Sequence, residues 1–173
     1  MLTTQVIARL ANLSLLSGKL PAQYKTAQVL PLLKKAGLDS SLPANYRLIS
    51  NLSSVSKVLE RLVLARLRPH LLGSSNFSEL QSAYRKGHFT ETALLEVLEG
   101  AFMVADDKQV TVLIGLYLSA AFDTVDHRLL LDHLRLEFGV TETPLNWLQS
   151  YLEGRTQFVK MGQQSARPSR LIV

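Results

Sequence analysis

Cysteine is absent from the 173-residue sequence, which excludes both disulfides and thiolate metal sites. Charged residues are also few, at 19%, beside 47% hydrophobic residues. This balance favours a deeply buried domain or a piece of a larger one. Long apolar runs are lacking too, because the longest, Val110 to Phe122, is too short to span a bilayer. We therefore expect no membrane span.

A secretory signal is also absent from the first 18 residues. No basic segment leads them, and Arg9 and Asn12 interrupt their apolar run. We therefore expect a chain that is not secreted and that resides in the nucleus or cytoplasm.

Positive charge is what the composition does provide. The net charge is +5 and the isoelectric point is near 9.6, which favours a polyanionic partner such as a nucleic acid. An ordinary basic surface explains so modest a charge equally well. At this length the chain fits one domain with a real core.

The apolar periodicity predicts a mixed order of helices and strands, so the expected fold class is α+β. The predicted helices are Thr3–Leu16, one capped by Ser53 that runs to Leu72, one capped by Thr90, Asp123–Phe138 and Pro144–Leu152. The predicted strands are Thr26–Leu33, Val110–Leu118 and Thr156–Met161.

Val110–Leu118 has the most distinct strand pattern. Its even-numbered residues are uniformly branched and are expected to lie under helices, whereas Gly115 and Tyr117 share a smaller, more polar face. Tyr117 is therefore predicted at the carboxyl end of the strand, on its open face.

Two basic groups are candidate nucleic-acid contacts. Lys57, Arg61 and Arg68 share one face of the second predicted helix, and Arg85 and Lys86 precede the helix at Thr90. Two cations beside the free N–H groups of a helix start form a natural phosphate site. A solvated helix face and a solvated turn are the alternatives. The Asp123 and His127 pair is likewise more typical of a solvated helix than of a metal site.

Residues 117–127 read Tyr-Leu-Ser-Ala-Ala-Phe-Asp-Thr-Val-Asp-His. They resemble the first catalytic motif of reverse transcriptases from non-LTR (LINE-type) retrotransposons at ten of eleven positions. The exception is Tyr117, where the family has a metal-binding aspartate. Further matches occur in order over roughly residues 6 to 165, among them Asn45–Leu52, Gln81–Leu94 and Trp147–Leu152. Leu48 replaces the family's proline and Phe89 its usual serine.

The resemblance implies the fingers and partial palm of a right-hand polymerase with an incomplete sheet. Residues 1–108 would be fingers-like and residues 109–173 the start of the palm. It also implies that Arg47, Arg85 and Lys86 contact nucleotide or template, and that Phe122 lies under the sugar. RNA or an RNA/DNA primer–template is the implied partner, bound weakly, and the incomplete palm suggests self-association.

The resemblance further implies Mg²⁺ as the cofactor of the intact family, but not of this chain. A phenol with a pKa near 10 does not replace a carboxylate as a Mg²⁺ ligand. Asp106-Asp107, the one aspartate pair, precedes the predicted strand instead of following it. We therefore expect no intact catalytic residue and no metal site. The leading hypothesis is a truncated, inactive reverse-transcriptase-like domain. The alternatives are a non-catalytic nucleic-acid-binding or interaction module, or a translated remnant without a selected function.

Overall fold

A computed structural model describes residues 2–118, 121–122, 124–161 and 164–170. Its helices are α1 Leu2–Ser17, α2 Ser54–Leu72, α3 Thr90–Asp106, α4 His127–Leu136 and α5 Glu142–Leu152. Its strands are β1 Thr26–Leu33, β2 Tyr46–Asn51, β3 Thr156–Met161, β4 Gln164–Ser165 and β5 Ser169–Arg170. The predicted α+β class is confirmed. Among the described residues, no helix is both long enough and apolar enough to span a membrane.

The sheet is built around β1. Its strands follow the order β2-β1-β3-β4, and β5 also pairs with β3. β2 runs antiparallel to β1, with Leu30 opposite Ile49, whereas β3 runs parallel to β1, with Val29 opposite Val159. The parallel pairing joins two strands that are more than 100 residues apart in sequence, so the sheet brings the two ends of the chain together.

The core lies where α1, α2 and α5 meet. Its buried side chains are Ala11, Leu20, Leu59 and Trp147, and partly buried neighbours such as Tyr151 pack against them. The Trp147 and Tyr151 rings stack with their centroids 5.4 Å apart. This cluster joins residues from both halves of the sequence around one tryptophan.

Polar groups inside this core are paired through Ser14. The Trp147 indole Nε1 donates to Ser14 Oγ at 3.0 Å, and Ser14 Oγ donates to the Lys19 carbonyl at 2.6 Å. Nearby, the Leu20 backbone N–H donates to Ser150 Oγ at 3.1 Å. A buried indole N–H and hydroxyl would be costly without such partners, so this chain of bonds fixes α1 against α5.

The predicted strand Val110–Leu118 is wrong. None of its residues lies in a strand, and Leu116 and Tyr117 are both 89% exposed, so the predicted separation into covered and open faces is absent. A strand needs a neighbour for its backbone N–H and C=O groups. In the described part of the chain, the paired strands are instead those of the β1 sheet.

The helix around Thr90 also differs from its prediction. Thr90 is the first helical residue of α3 and the cap is Phe89, whose backbone N–H donates to Thr92 Oγ1 at 2.9 Å. The helical spacing of Leu94, Leu98 and Ala105 predicts a stripe that faces inward, but no α3 residue is buried. Helical spacing therefore identified the helix without identifying a surface that covers it.

α4 is shorter than predicted. It begins at His127, after Asp126 caps it by accepting hydrogen bonds from the Arg128 and Leu129 N–H groups at 2.8 and 3.1 Å. These bonds favour the carboxylate and lower the pKa of Asp126 below its ordinary value. Asp123 lies outside the described residues, so its proposed pairing with His127 does too.

Candidate nucleic-acid interface

Arg85 is held by its own turn. Its Nη1 donates to the Glu79 carbonyl at 2.6 Å and to the Gln81 carbonyl at 3.1 Å. The guanidinium carbon also lies 5.8 Å from the centre of the Phe77 ring, within cation–π range. Because the side chain is used to close residues 77–85 into a turn, Arg85 positions this segment as well as giving it charge.

Lys86 follows on the outside of the same turn and is exposed. Gly87 adopts φ +82°, a conformation that glycine reaches without strain, and the chain then enters α3. The Phe89 N–H is taken up by Thr92 Oγ1, as described above. The start of α3 therefore has one N–H that a side chain caps, and the exposed Lys86 precedes it closely in sequence. The Arg85 guanidinium instead bonds the Gln81 carbonyl within the turn.

The basic turn is tied to α2. An Arg68 guanidinium nitrogen donates to the backbone carbonyl of Tyr84, which adopts φ +60°. Asn76 Nδ2 donates to the Glu137 carbonyl at the end of α4. Segment 73–89 is thus anchored at two points, and Lys86 follows one of them, Tyr84, by two residues.

Arg47 lies on a separate element. It is exposed on β2, opposite Leu32 of β1. The loop before β2 is fixed by Lys34, whose Nζ donates to the Ala44 carbonyl at 2.7 Å, and by the Tyr46 hydroxyl, which donates to the Ser40 carbonyl at 2.9 Å. Arg47 lies on β2, whereas Arg85 and Lys86 lie in the segment before α3, so the three predicted cations stand on two different elements.

Phe122 and Tyr117 belong to the long exposed segment after α3. Phe122 is 77% exposed in a turn where Thr124 Oγ1 donates to the Ala121 carbonyl at 3.1 Å. Neither ring is packed in the core. Tyr117, predicted at the carboxyl end of a strand, therefore lies outside any strand, and the role expected for Phe122 stays a prediction.

The residues present do not fit a Mg²⁺ site. Tyr117 offers a phenol instead of a carboxylate, and within the described ranges no three His, Asp or Glu side chains come together as ligands. Mg²⁺ requires hard oxygen ligands in near-octahedral geometry, which carboxylates provide and an un-ionised phenol does not. No chemistry that requires this ion is assigned to the chain.

An apolar cavity of about 590 Å³ lies elsewhere, between α1, α2 and α5. Its walls include Leu16, Val63, Leu67 and Trp147, and it contains none of the predicted nucleotide-contacting residues.

Arg68 and Phe77 support the basic turn, but the sequence did not predict this role for either of them. Of the two, only Arg68 had a signal in the sequence, namely its position on the cationic face of α2.

Residues 33–172 match the family described as reverse transcriptase (RNA-dependent DNA polymerase). This match covers most of the chain, which therefore belongs to the reverse transcriptase family, as the motif at residues 117–127 indicated. Its LINE-type character is supported by relatives from Drosophila melanogaster transposons.

Three of these relatives illustrate the match. Over 135 residues, 78% of the chain, the sequence is 34% identical to the probable RNA-directed DNA polymerase from transposon X-element. It is 30% identical to the corresponding protein from transposon BS over 86% of the chain, and 30% identical to the RNA-directed DNA polymerase from mobile element jockey over 91%. The chain spans only 14% to 17% of the length of these relatives.

Proposed function

We propose that this reverse-transcriptase-like domain binds RNA or an RNA/DNA primer–template without catalysing polymerisation. In this proposal residues 1–108 act as fingers and residues 109–173 as the start of the palm. The observation that carries the loss of catalysis is Tyr117, which stands where the matched motif has its aspartate. The family generally uses Mg²⁺, and these 173 residues contain no aspartate pair after Tyr117.

Tyr117 would abolish the chemistry for a simple reason. Two-metal phosphoryl transfer uses carboxylates from neighbouring strands to hold the ions that stabilise the attacking and leaving oxygens. Tyr117 supplies an exposed phenol instead of a carboxylate and belongs to a segment without strand pairing. Both the ligand and the rigid strand that would orient it are therefore missing at this position.

Binding is supported by the basic turn and by β2. Lys86 is an exposed cation on a turn that Arg85 and Arg68 hold in place, and Arg47 is an exposed cation on a paired strand. Cations fixed on such elements gain more from phosphate contact than flexible ones, because less conformational entropy is lost. The proposal assigns Lys86 and Arg47 direct phosphate contact, and assigns Arg85 the shape of the turn.

Salt-dependent binding tests this assignment. The affinity of the 173-residue chain for a fluorescent RNA/DNA primer–template is measured by anisotropy between 50 and 300 mM salt. Lys86→Ala should weaken binding by a similar factor for every sequence. It should also reduce the slope of log affinity against log salt by about 1, because one phosphate contact is lost.

Lys108→Ala is the matched control. Lys108 is also an exposed lysine in a turn beside α3, but it follows Asp106 and Asp107, whose charges oppose nucleic-acid contact. This variant loses the same charge and should keep the original salt slope. Equal losses of affinity in the two variants would contradict a site at Lys86, because they would reflect only the general charge of the chain.

Primer extension tests the loss of catalysis. Neither the chain nor Tyr117→Asp should extend a primer on an RNA template with Mg²⁺ or Mn²⁺, because one carboxylate cannot hold two ions. Template-dependent extension by Tyr117→Asp would show that Tyr117 alone silenced an otherwise complete site.

A further inference from the structure

The α3 helix carries apolar side chains that nothing in the described structure covers. Leu95 is 64% exposed and Phe102 is 68% exposed, and no residue of this helix is buried. A helix with large apolar residues normally buries them against another element. Such a surface is typical of an interface.

The charges of α3 indicate what kind of partner would cover it. From Thr90 to Asp107 the sequence contains five acidic residues and neither lysine nor arginine. Acidic and apolar residues also alternate along one stripe of the helix, at three- and four-residue spacing. This acidic stripe consists of Glu91, Leu95, Glu99, Phe102 and Asp106. A fitting partner would present cations interleaved with apolar residues.

α2 presents such a surface. A second stripe at the same spacing combines three cations with two leucines, on the side of the helix away from buried Ser56 and Leu59. This basic stripe consists of Lys57, Arg61, Leu64, Arg68 and Leu72. Leu64 is 50% exposed and Leu72 is also uncovered. Phosphate contact would account for the cations but not for the exposed leucines of the same stripe, whereas the acidic stripe matches both.

Within one chain, segment 73–89 joins the helix of the basic stripe to the helix of the acidic stripe. Segment 73–89 is fixed to α2 by Arg68 and to the end of α4 by Asn76, and α3 leaves it without burying a side chain. The acidic stripe is therefore exposed to a second molecule. Two copies related by a two-fold axis would form this contact twice, once in each direction.

We infer that the acidic stripe of α3 docks on the basic stripe of α2 in a second copy of this chain, giving a reciprocal dimer. Leu95 and Phe102 pack against Leu64 and Leu72. The acidic side chains flank Lys57 and Arg61. The residues proposed for nucleic-acid contact, Arg47 and Lys86, lie outside both stripes. The dimer and the nucleic-acid contact can therefore be tested independently.

Charge reversal tests the dimer. The acid-reversed variant is Glu99→Arg with Asp106→Arg, and the base-reversed variant is Lys57→Glu with Arg61→Glu. Each variant alone places like charges in both contacts, so its dimer dissociation constant should rise by at least about tenfold. Sedimentation equilibrium at 50 mM salt measures this, and circular dichroism checks that helix content and Tm are retained.

Mixing the two variants is the decisive measurement. A mixed dimer pairs the basic α3 with the acidic α2 and the acidic α3 with the basic α2, so both contacts regain opposite charges. The equimolar mixture should dimerise within about tenfold of the original chain. The control is Lys160→Glu with Arg167→Glu, which lowers the net charge as much as the base-reversed variant does, at positions outside both stripes. This control should dimerise like the original chain.

Three results would overturn the inference. One is a monomeric original chain at every concentration, and another is unchanged dimerisation of both reversed variants. The third is failure of the folded variants to associate when mixed. A monomeric chain whose base-reversed variant loses RNA affinity would instead assign the basic stripe to nucleic acid.

Discussion

The α1–α2–α5 core and the region from α3 to Phe122 are both rich in apolar residues, but only the first buries them. Trp147 is 3% exposed in the core, whereas Leu116 is almost fully exposed. Helix α3 still forms, because its hydrogen bonds are local. Residues 110–118 do not form a strand, because strand hydrogen bonds need a neighbour. Local patterns therefore predict helices well, but they do not predict burial or strand pairing.

The largest expected difference between the two regions comes from side-chain truncation. Trp147→Ala removes the centre of the core and leaves a cavity, so it should lower the free energy of unfolding by about 3–5 kcal/mol. Met103→Ala, on α3 and 67% exposed, should change it by less than about 0.5 kcal/mol. Urea unfolding followed by circular dichroism measures both. Comparable losses would mean that α3 is packed in solution.

The same distinction explains how far the sequence could predict the fold. The bounds of β1 and β3 and the Ser53 cap of α2 were all predicted correctly, because turn residues and side-chain caps mark them locally. The β2 strand was not predicted as a strand. Its pairing with β1 is antiparallel and follows a loop whose shape depends on the Lys34 and Tyr46 hydrogen bonds.

The candidate site was predictable only as a set of residues. The family motifs identified Arg47, Arg85, Lys86 and Tyr117 as the positions of interest. They could not show that Arg85 bonds the carbonyls of Glu79 and Gln81, because those contacts depend on the folded shape of the turn. The roles of Arg47, Lys86 and Phe122 stay predictions.

Two buried serines provide a finer test within the packed region. Ser14 Oγ accepts from Trp147 Nε1 and donates to the Lys19 carbonyl, whereas Ser56 Oγ is buried and has no hydrogen-bond partner among the described residues. Ser14→Ala leaves the indole N–H unpaired and should cost about 1–3 kcal/mol of unfolding free energy.

Ser56→Ala is the matched control, since it removes a hydroxyl that makes no bond. It should be neutral or slightly stabilising, because the desolvation cost of that hydroxyl disappears. Equal destabilisation by both substitutions in urea unfolding would contradict the assigned hydrogen bonds.

Two glycines should respond to alanine with opposite signs. Gly18 adopts φ +63°, and a Cβ there would lie 3.1 Å from the Thr143 carbonyl oxygen, so Gly18→Ala should destabilise the core by about 1–2 kcal/mol. At Gly100, within α3, an added Cβ would meet no described atom within 4 Å outside the backbone of its own helix. Gly100→Ala should therefore stabilise that helix by roughly 0.5–1 kcal/mol. Hydrogen exchange of α1 and α3 amides separates the two effects. A loss of protection in α3 on Gly100→Ala would show that a neighbour occupies that position.

The smallest expected effect is the pH dependence of the α4 cap, at the boundary between the two regions. Hydrogen bonds from the Leu129 and Arg128 N–H groups lower the pKa of Asp126 below its ordinary value of about 3.9. Because the folded-state pKa is the lower one, the stabilisation is complete above about pH 4 and is lost as the pH falls through the folded-state pKa. Asp126→Asn keeps a good cap without this titration, so its unfolding free energy should lose less between pH 6 and pH 2 than that of the original chain. Identical pH profiles for the two proteins would show that the ionisation of Asp126 makes no net contribution to stability, so that the cap would act through its hydrogen bonds alone.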